Sequence, residues 1–155
     1  MANELSTAGV LVKYKAEAVA GTRLTSGYTT IPNIKSTPDL NPEPSSLEVT
    51  DLSGDEWMRY IAGLKDPGGA LAFNANNTDA FQTAWATLVS AYDTAAAAGK
   101  AIWFEIYVPG LTNSFYFAGI PSALGLGAME VDAPAEVTAY VTPNQIEGWA
   151  AAATT

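Results

Sequence analysis

Ile102-Trp103-Phe104-Glu105-Ile106-Tyr107-Val108 decides the fold class. Ile102, Phe104, Ile106 and Val108 alternate with Trp103, Glu105 and Tyr107, the period of two that sends one set to a core and the other to the opposite sheet face. Pro109-Gly110 and Asn113 mark a turn into a second aromatic run, Phe115 to Ile120, so the two runs read as a hairpin. Immediately upstream the period changes. Phe81, Trp85, Leu88, Val89, Tyr92 and Ala96 recur at helical spacing, and this is the one long helix the sequence offers. Thr78 or Asp79 can cap its start, with Gln82 three residues after Asp79 completing a capping box, while Gly99 ends it with Lys100 beside the negative pole. Its apolar stripe is read as packing onto a sheet.

The same alternation recurs toward both ends. Val10, Val12, Tyr14, Ala16 and Ala18 fall on one side of a strand, with Lys13, Lys15 and Glu17 on the other. Gly21 to Gly27 reads as a turn, and Tyr28 to Ile34 as a second strand with Pro32 at an edge or bulge. A strand is predicted near Leu124 to Val131, bent by Gly125 and Gly127. After Asp132-Ala133-Pro134 comes a last strand, in which Glu136, Thr138, Tyr140 and Thr142 alternate with Val137, Ala139 and Val141. The Ala-rich tail, 150–155, is expected to fray. The pattern is mainly β with one long α-helix, a sandwich or barrel in a single domain spanning 1–155.

Leu40 to Phe73 does not fit the alternation. Pro42 and Pro44 lead into Leu47-Glu48-Val49-Thr50-Asp51, then Gly54-Asp55-Glu56-Trp57-Met58-Arg59-Tyr60-Ile61, then Gly63-Leu64-Lys65-Asp66-Pro67-Gly68-Gly69 and Leu71-Ala72-Phe73. It reads as a long connection holding a short acidic helix and a turn into a strand. Connections of that length inside a compact domain are commonly functional, so about 36–57 is a candidate contact with another molecule, best of all another copy of the chain.

The 155 residues, 48% hydrophobic and 10% aromatic, suffice for one core. Seven Lys and Arg against sixteen Asp and Glu give a net charge of -9. That balance opposes nucleic-acid affinity, which requires cations to displace phosphate counterions. With no cysteine and no histidine, thiolate chemistry, Cys-based metal sites, the usual neutral-pH base and the commonest metal ligand are all excluded. No basic region followed by an apolar run opens the chain, and no apolar stretch approaches a membrane span; the Asn76-Asn77-Thr78 sequon therefore carries no weight.

Catalysis would have to rest on carboxylates, Lys, Ser or Tyr. Asp55 with Glu56 do not face each other on a helix start, and Glu130 with Asp132, which share a predicted strand face, sit at a turn where solvated acids are ordinary. Gly99-Lys100 is followed by Ala101, where a phosphate-binding loop needs Ser or Thr, and Gly125-Leu126-Gly127 signals a bulge. The sequence offers no catalytic, cofactor or metal site, and the reading is non-enzymatic.

The ordered set of these features resembles the tail tube (major tail) proteins of long-tailed bacteriophages. A Val-Thr-Asp segment at Val49-Thr50-Asp51, the Gly63-Leu64-Lys65-Asp66 turn, one amphipathic helix and closing strands parted by Asp132-Ala133-Pro134 recur there in this order. The resemblance implies a β-sandwich or barrel of tail tube type, assembled as hexameric rings stacked into a tube whose lumen passes genomic DNA without specific binding. It implies a tape measure protein, a tail tip or initiator complex and a tail terminator as partners, and residence in the virion after assembly in host cytoplasm. On that basis Leu40, Leu47, Val49, Asp51 and Trp57 are candidates for ring stacking, and Glu17, Glu136, Thr138 and Thr142 for the lumen lining. Secretion-system tubes and tail-terminator-like rings share the architecture and stay open as alternatives. So does a small ligand-binding β-sandwich using Trp103, Tyr107 and Tyr116 as its binding face.

Overall fold

The computed structural model describes residues 5–41, 44–54, 56–66 and 68–154; Pro42, Asp55, Pro67 and the terminal Thr155 lie outside them. The sequence-predicted helix forms over Asp79–Ala97 (α1). Thr78 is its N-cap, with extended backbone and a side chain accepting from the Phe81 N–H at 3.2 Å. Gln82 reaches back to Asn77 Oδ1 at 2.7 Å instead of closing a capping box. At the other end Gly99 takes φ 72°, the Gly99 N–H bonds Ala96 O and the Lys100 N–H bonds Ala95 O, a Schellman end that only a residue at ease in the left-handed region completes cheaply. Phe81, Trp85, Leu88 and Ala95 are buried, and α1 lies on the sheet as its stripe predicts.

The chain divides into two units, residues 1–38 with 70–155, and Asp39–Gly69. In the first, seven strands form one antiparallel sheet: β1 (Leu11–Ala16), β2 (Thr29–Ile31), β3 (Ile34–Ser36), then, numbering on past the two strands of the second unit, β6 (Leu71–Asn76), β7 (Ile102–Tyr107), β8 (Asn113–Pro121) and β9 (Glu136–Ala151). Their order is β2-β1-β7-β8-β9-β6-β3. The outermost strands, β2 and β3, are separated in sequence by Pro32 and Asn33 alone. So short a link cannot span an open sheet, and the two edges must approach each other in a nearly closed barrel. Asn33 turns the corner at φ 63°, and its carbonyl accepts from the Asn76 N–H at 2.9 Å. The break that Pro32 predicts in the second strand is this corner.

Alternation then assigns the faces. Val12, Tyr14, Phe73, Ala75, Phe104, Phe117, Val137 and Val141 are buried on the inner face, where Phe104 stacks on Phe117 across β7 and β8 at 5.1 Å and Phe73 stacks on Phe117 at 6.4 Å. Strand β7 is buried on both faces, however. Trp103, Tyr116 and Ala118 form a second core on the outward face, against which Tyr28, Ala101 and Ala150 pack. With Trp103 and Tyr116 thus enclosed, they cannot serve as an open ligand-binding face.

Three expectations are corrected. Ser122 to Ala135 contains no strand, because β8 is already flanked by β7 and β9 and leaves no free edge beside it, while Gly127 presses so closely on the Glu136 backbone that a Cβ would lie 2.3 Å from its carbonyl oxygen. The last strand continues to Ala151, bent at Gly148 (φ 93°), and the segment beyond it is tied down rather than frayed: Ala152 N–H bonds Thr112 O at 3.3 Å and Thr154 N–H bonds Thr25 O at 3.1 Å. The acidic helix expected over Gly54 to Ile61 is absent among the described residues.

In its place the second unit holds a β-hairpin of β4 (Ser46–Glu48) and β5 (Tyr60–Ala62), with Leu47 opposite Ile61 and Glu48 opposite Tyr60. Val49 N–H to Arg59 O and Gly63 N–H to Ser45 O, both 2.9 Å, extend the ladder at each end. Asp39, Asp51 and Asp66 each accept, at 2.9 Å, the backbone N–H two residues ahead. A helix that short with no face to bury would gain little, whereas side-chain-supported turns and cross-strand pairs stabilise the ribbon locally.

Candidate assembly surface

The hairpin unit has no buried residue among those described. Two-stranded ribbons are marginal alone, and this one exposes apolar side chains that a free surface gives no reason to keep: Trp57 is 82% exposed, Leu64 93%, Met58 59% and Leu47 56%, with Tyr60 and Ile61 also more than half exposed. Of the sequence-predicted stacking residues, Leu47, Asp51 and Trp57 are exposed, and Leu40 and Val49 half-buried. Met58, Tyr60, Ile61 and Leu64 were missed; the strand register sets Ile61 opposite Leu47 and Tyr60 opposite Glu48 on the other face, and the ribbon is exposed on both. The unit is also acidic. Asp39–Gly69 carries seven acidic and two basic residues, net -5 of the chain's -9. Backbone and hydroxyl donors of Ser53 hold Asp51 below the usual carboxylate range.

Strand β9 presents a second feature. Its Glu136–Val141 stretch pairs with β6 and its Val141–Ala151 stretch with β8, so 142–151 has a strand on one side only. Trp149 stands exposed there, edge-on to Phe115 at 5.6 Å. An unpaired run of backbone groups is a template for another chain.

The proposed lining residues separate. Glu136, Thr138 and Thr142 share the outward face of β9 with Tyr140; Glu136 pairs with Lys35, and the Thr138 hydroxyl bonds Asn74 Oδ1 at 2.9 Å. Glu17 is 6% exposed, accepting from Trp103 Nε1 at 2.9 Å and the Gly21 N–H at 2.6 Å. Its carboxylate faces protein, whereas the expected lumen lining requires one that faces solvent. Glu105, fully buried on the outward face, accepts from Tyr116 Oη and the Ala153 N–H, both at 2.8 Å. Arg23 lies over the Tyr116 ring at 3.9 Å and pairs with Glu147. Burial, reinforced by Glu105, raises the Tyr116 phenol, and burial pushes Tyr28 up to about 12.

Chemistry is sparse elsewhere. Glu130 and Asp132 are exposed in the irregular 122–135 segment and share no strand face. A groove of about 510 Å³ between α1 and Ala123–Gly125 is lined by Trp85, Val89, Gln82 and Asn77 without a titratable group. No helix is long and apolar enough to cross a membrane, and no cluster of three metal-ligating side chains occurs among the described residues.

No protein-family model matches the chain, and no curated protein matches it in sequence. Solved structures do match in shape. A chain of the anti-feeding prophage (AFP) baseplate, 6-fold symmetrised, is similar over 96% of this chain and 97% of its own, with TM-score 0.58 and 9% identity. A chain of the tail of an empty GTA particle, with C6 symmetry, is similar over 93% and 96%, with TM-score 0.53 and 15% identity. In fold this chain is therefore similar to subunits of phage-type tail and baseplate particles, a mainly β barrel-like sheet with one helix.

Proposed function

We propose that this protein is a structural, non-enzymatic subunit of a phage-tail-type particle, and within that class a tail tube protein that polymerises as stacked hexameric rings around a channel for DNA. The observation carrying the reading is the Asp39–Gly69 hairpin, which buries none of its described residues and presents Trp57, Met58, Ile61 and Leu64 to solvent. Large exposed apolar patches mark interaction sites. The open edge of β9 supports lateral association, since ring closure hides edges, and heterologous contacts build rings and filaments from one kind of subunit. The six-fold symmetry named for both similar particles agrees with it. A tape measure protein, tip complex, terminator and passing DNA are the partners this role entails, with the assembled protein in the virion. Glu136, Thr138 and Thr142 are the proposed lumen face, an acidic and neutral lining along which phosphates slide.

Negative-stain microscopy of concentrated protein, alone and with tail-tip complex, tests it. The expected result is tubes with a central channel. Short rings that never elongate would favour the terminator-like alternative, and a strict monomer that binds a small ligand the β-sandwich module.

A further inference from the structure

The hairpin's occupant can be read from charge. The patch that complements an acidic, apolar ribbon is cationic and apolar, and the outward face of β1 supplies one. Val12 and Tyr14 point to the core, so Leu11, Lys13 and Lys15 point out. Leu11 lies opposite the half-buried Tyr107, Lys13 between the exposed Thr30 and the buried Glu105, and Lys15 opposite Trp103. Lys13 Nζ rests 5.1 Å from the Tyr107 ring centroid, and Lys15 Nζ donates to Gly27 O at 3.3 Å. Both ammonium groups are thereby positioned, yet the ion pairs among the described residues are Arg23–Glu147 and Lys35–Glu136. The acids beside them in the sheet accept from other groups: Glu105 takes Tyr116 Oη and the Ala153 N–H on Oε2, with Oε1 buried and without a hydrogen-bond partner, and Glu17 takes Trp103 and Gly21.

Resting on the assembly reading above, we infer that the Leu11–Lys13–Lys15–Tyr107 patch of one copy receives the Asp39–Gly69 hairpin of the next, with Lys13 and Lys15 facing its carboxylates and Leu11 and Tyr107 its apolar side chains. Two subunits of net charge -9 repel at long range. A local cationic patch answering a segment that carries net -5 gives the contact register and rejects the reverse pairing. The contact is heterologous, because donor ribbon and receiving strand are different surfaces, and it propagates from copy to copy.

Isotopically labelled and unlabelled copies, mixed, assembled and treated with a water-soluble carbodiimide, should yield amide cross-links joining Lys13 or Lys15 of one isotope to Glu48, Glu56 or Asp66 of the other. Lys13→Glu/Lys15→Glu should keep its circular dichroism and melting transition while raising the critical concentration for assembly at least ~10-fold. Adding Glu48→Lys/Glu56→Lys should restore it. If the reversed pair misfolds, Lys13→Gln/Lys15→Gln replaces it, and the cross-links on unmodified protein still decide. Cross-links confined to single copies, or a folded double variant that assembles at the unmodified concentration, overturn this docking while leaving the tube reading intact. Unmodified protein that stays monomeric even with tail-tip complex overturns both.

Discussion

Replacing Trp57 with Ala separates assembly from folding more cleanly than any other single change. Trp57 is 82% exposed in a unit with no buried residue among those described, so truncation removes nothing that holds the protomer together. A tryptophan side chain offers roughly 200 Å². Burying the exposed part against a neighbour at about 25 cal/mol per Å² sets a ceiling near ~4 kcal/mol. Incomplete coverage and the ordering of a marginal ribbon cost about half of it, leaving ~2 kcal/mol per contact, or about 30-fold in association constant. Right-angle light scattering gives the critical concentration, which should rise by about that factor, and calorimetry gives a melting temperature that should stay within ~1 °C of the parent, as surface changes do. A clear fall in melting temperature would place Trp57 in the protomer's own packing. An unchanged critical concentration with unchanged stability would falsify the claim that this hairpin is an assembly contact.

Trp85→Phe should lose the 2.7 Å bond from Nε1 to Ser122 O and cost about 1–3 kcal/mol in urea unfolding through the carbonyl left unpaired, with Trp85→Ala costing more, about 3–5 kcal/mol, through the cavity. Glu105→Ala strips the acceptor from the Ala153 N–H and leaves Tyr116 Oη with Ala151 O alone; amide exchange at Ala152 to Thr154 should quicken at least ~10-fold, and equal rates in both proteins would show that the tail is held by other means. Burial pushes the Tyr28 phenol from the ordinary 10.0 up to about 12. A folded pKa raised above the unfolded one gives stability that is whole below pH 10 and lost as pH climbs through 12, so the difference between parent and Tyr28→Phe should be flat below pH 10 and shrink above it.

What was legible in the sequence is what depends on local period. The β7–β8 hairpin, the strands at Leu11 and Glu136, and α1 with its glycine end follow from spacings of two and 3.6 within a dozen residues, and Pro32 marks the corner because it can neither donate to a ladder nor leave its φ. Glu105 shows where that reading stops. Alternation assigns it to the outer face, and it is on the outer face, yet fully buried. The cover comes from the Glu17 to Tyr28 loop and from Ala150 to Thr154, which no local period can bring to β7. The same reason explains the tail: Ala152 to Thr154 carry no ordering signal of their own, and their partners, Thr25, Thr112 and Glu105, come from the loop before β2, the β7–β8 turn and β7.

The hairpin errs in the other direction, and the error is informative. The acids that precede apolar residues in Gly54 to Ile61 suggest a helix start, a pattern that holds only when a core awaits the apolar face. Asp51 and Asp66 instead accept from backbone N–H groups two residues on, spending their oxygens on turns, and Leu47 and Ile61 face each other with nothing beneath them. A sequence that holds a ribbon's turns so firmly while leaving its apolar side chains uncovered is consistent with a shape made for a partner. The stabilising term missing from the protomer is then the contact itself: ordering is supplied locally by the Asx turns, so less conformational entropy is lost on docking, and the apolar area still exposed is what association buries. Strong turns with an empty face are what the proposed assembly contact requires, and the Trp57→Ala variant tests it.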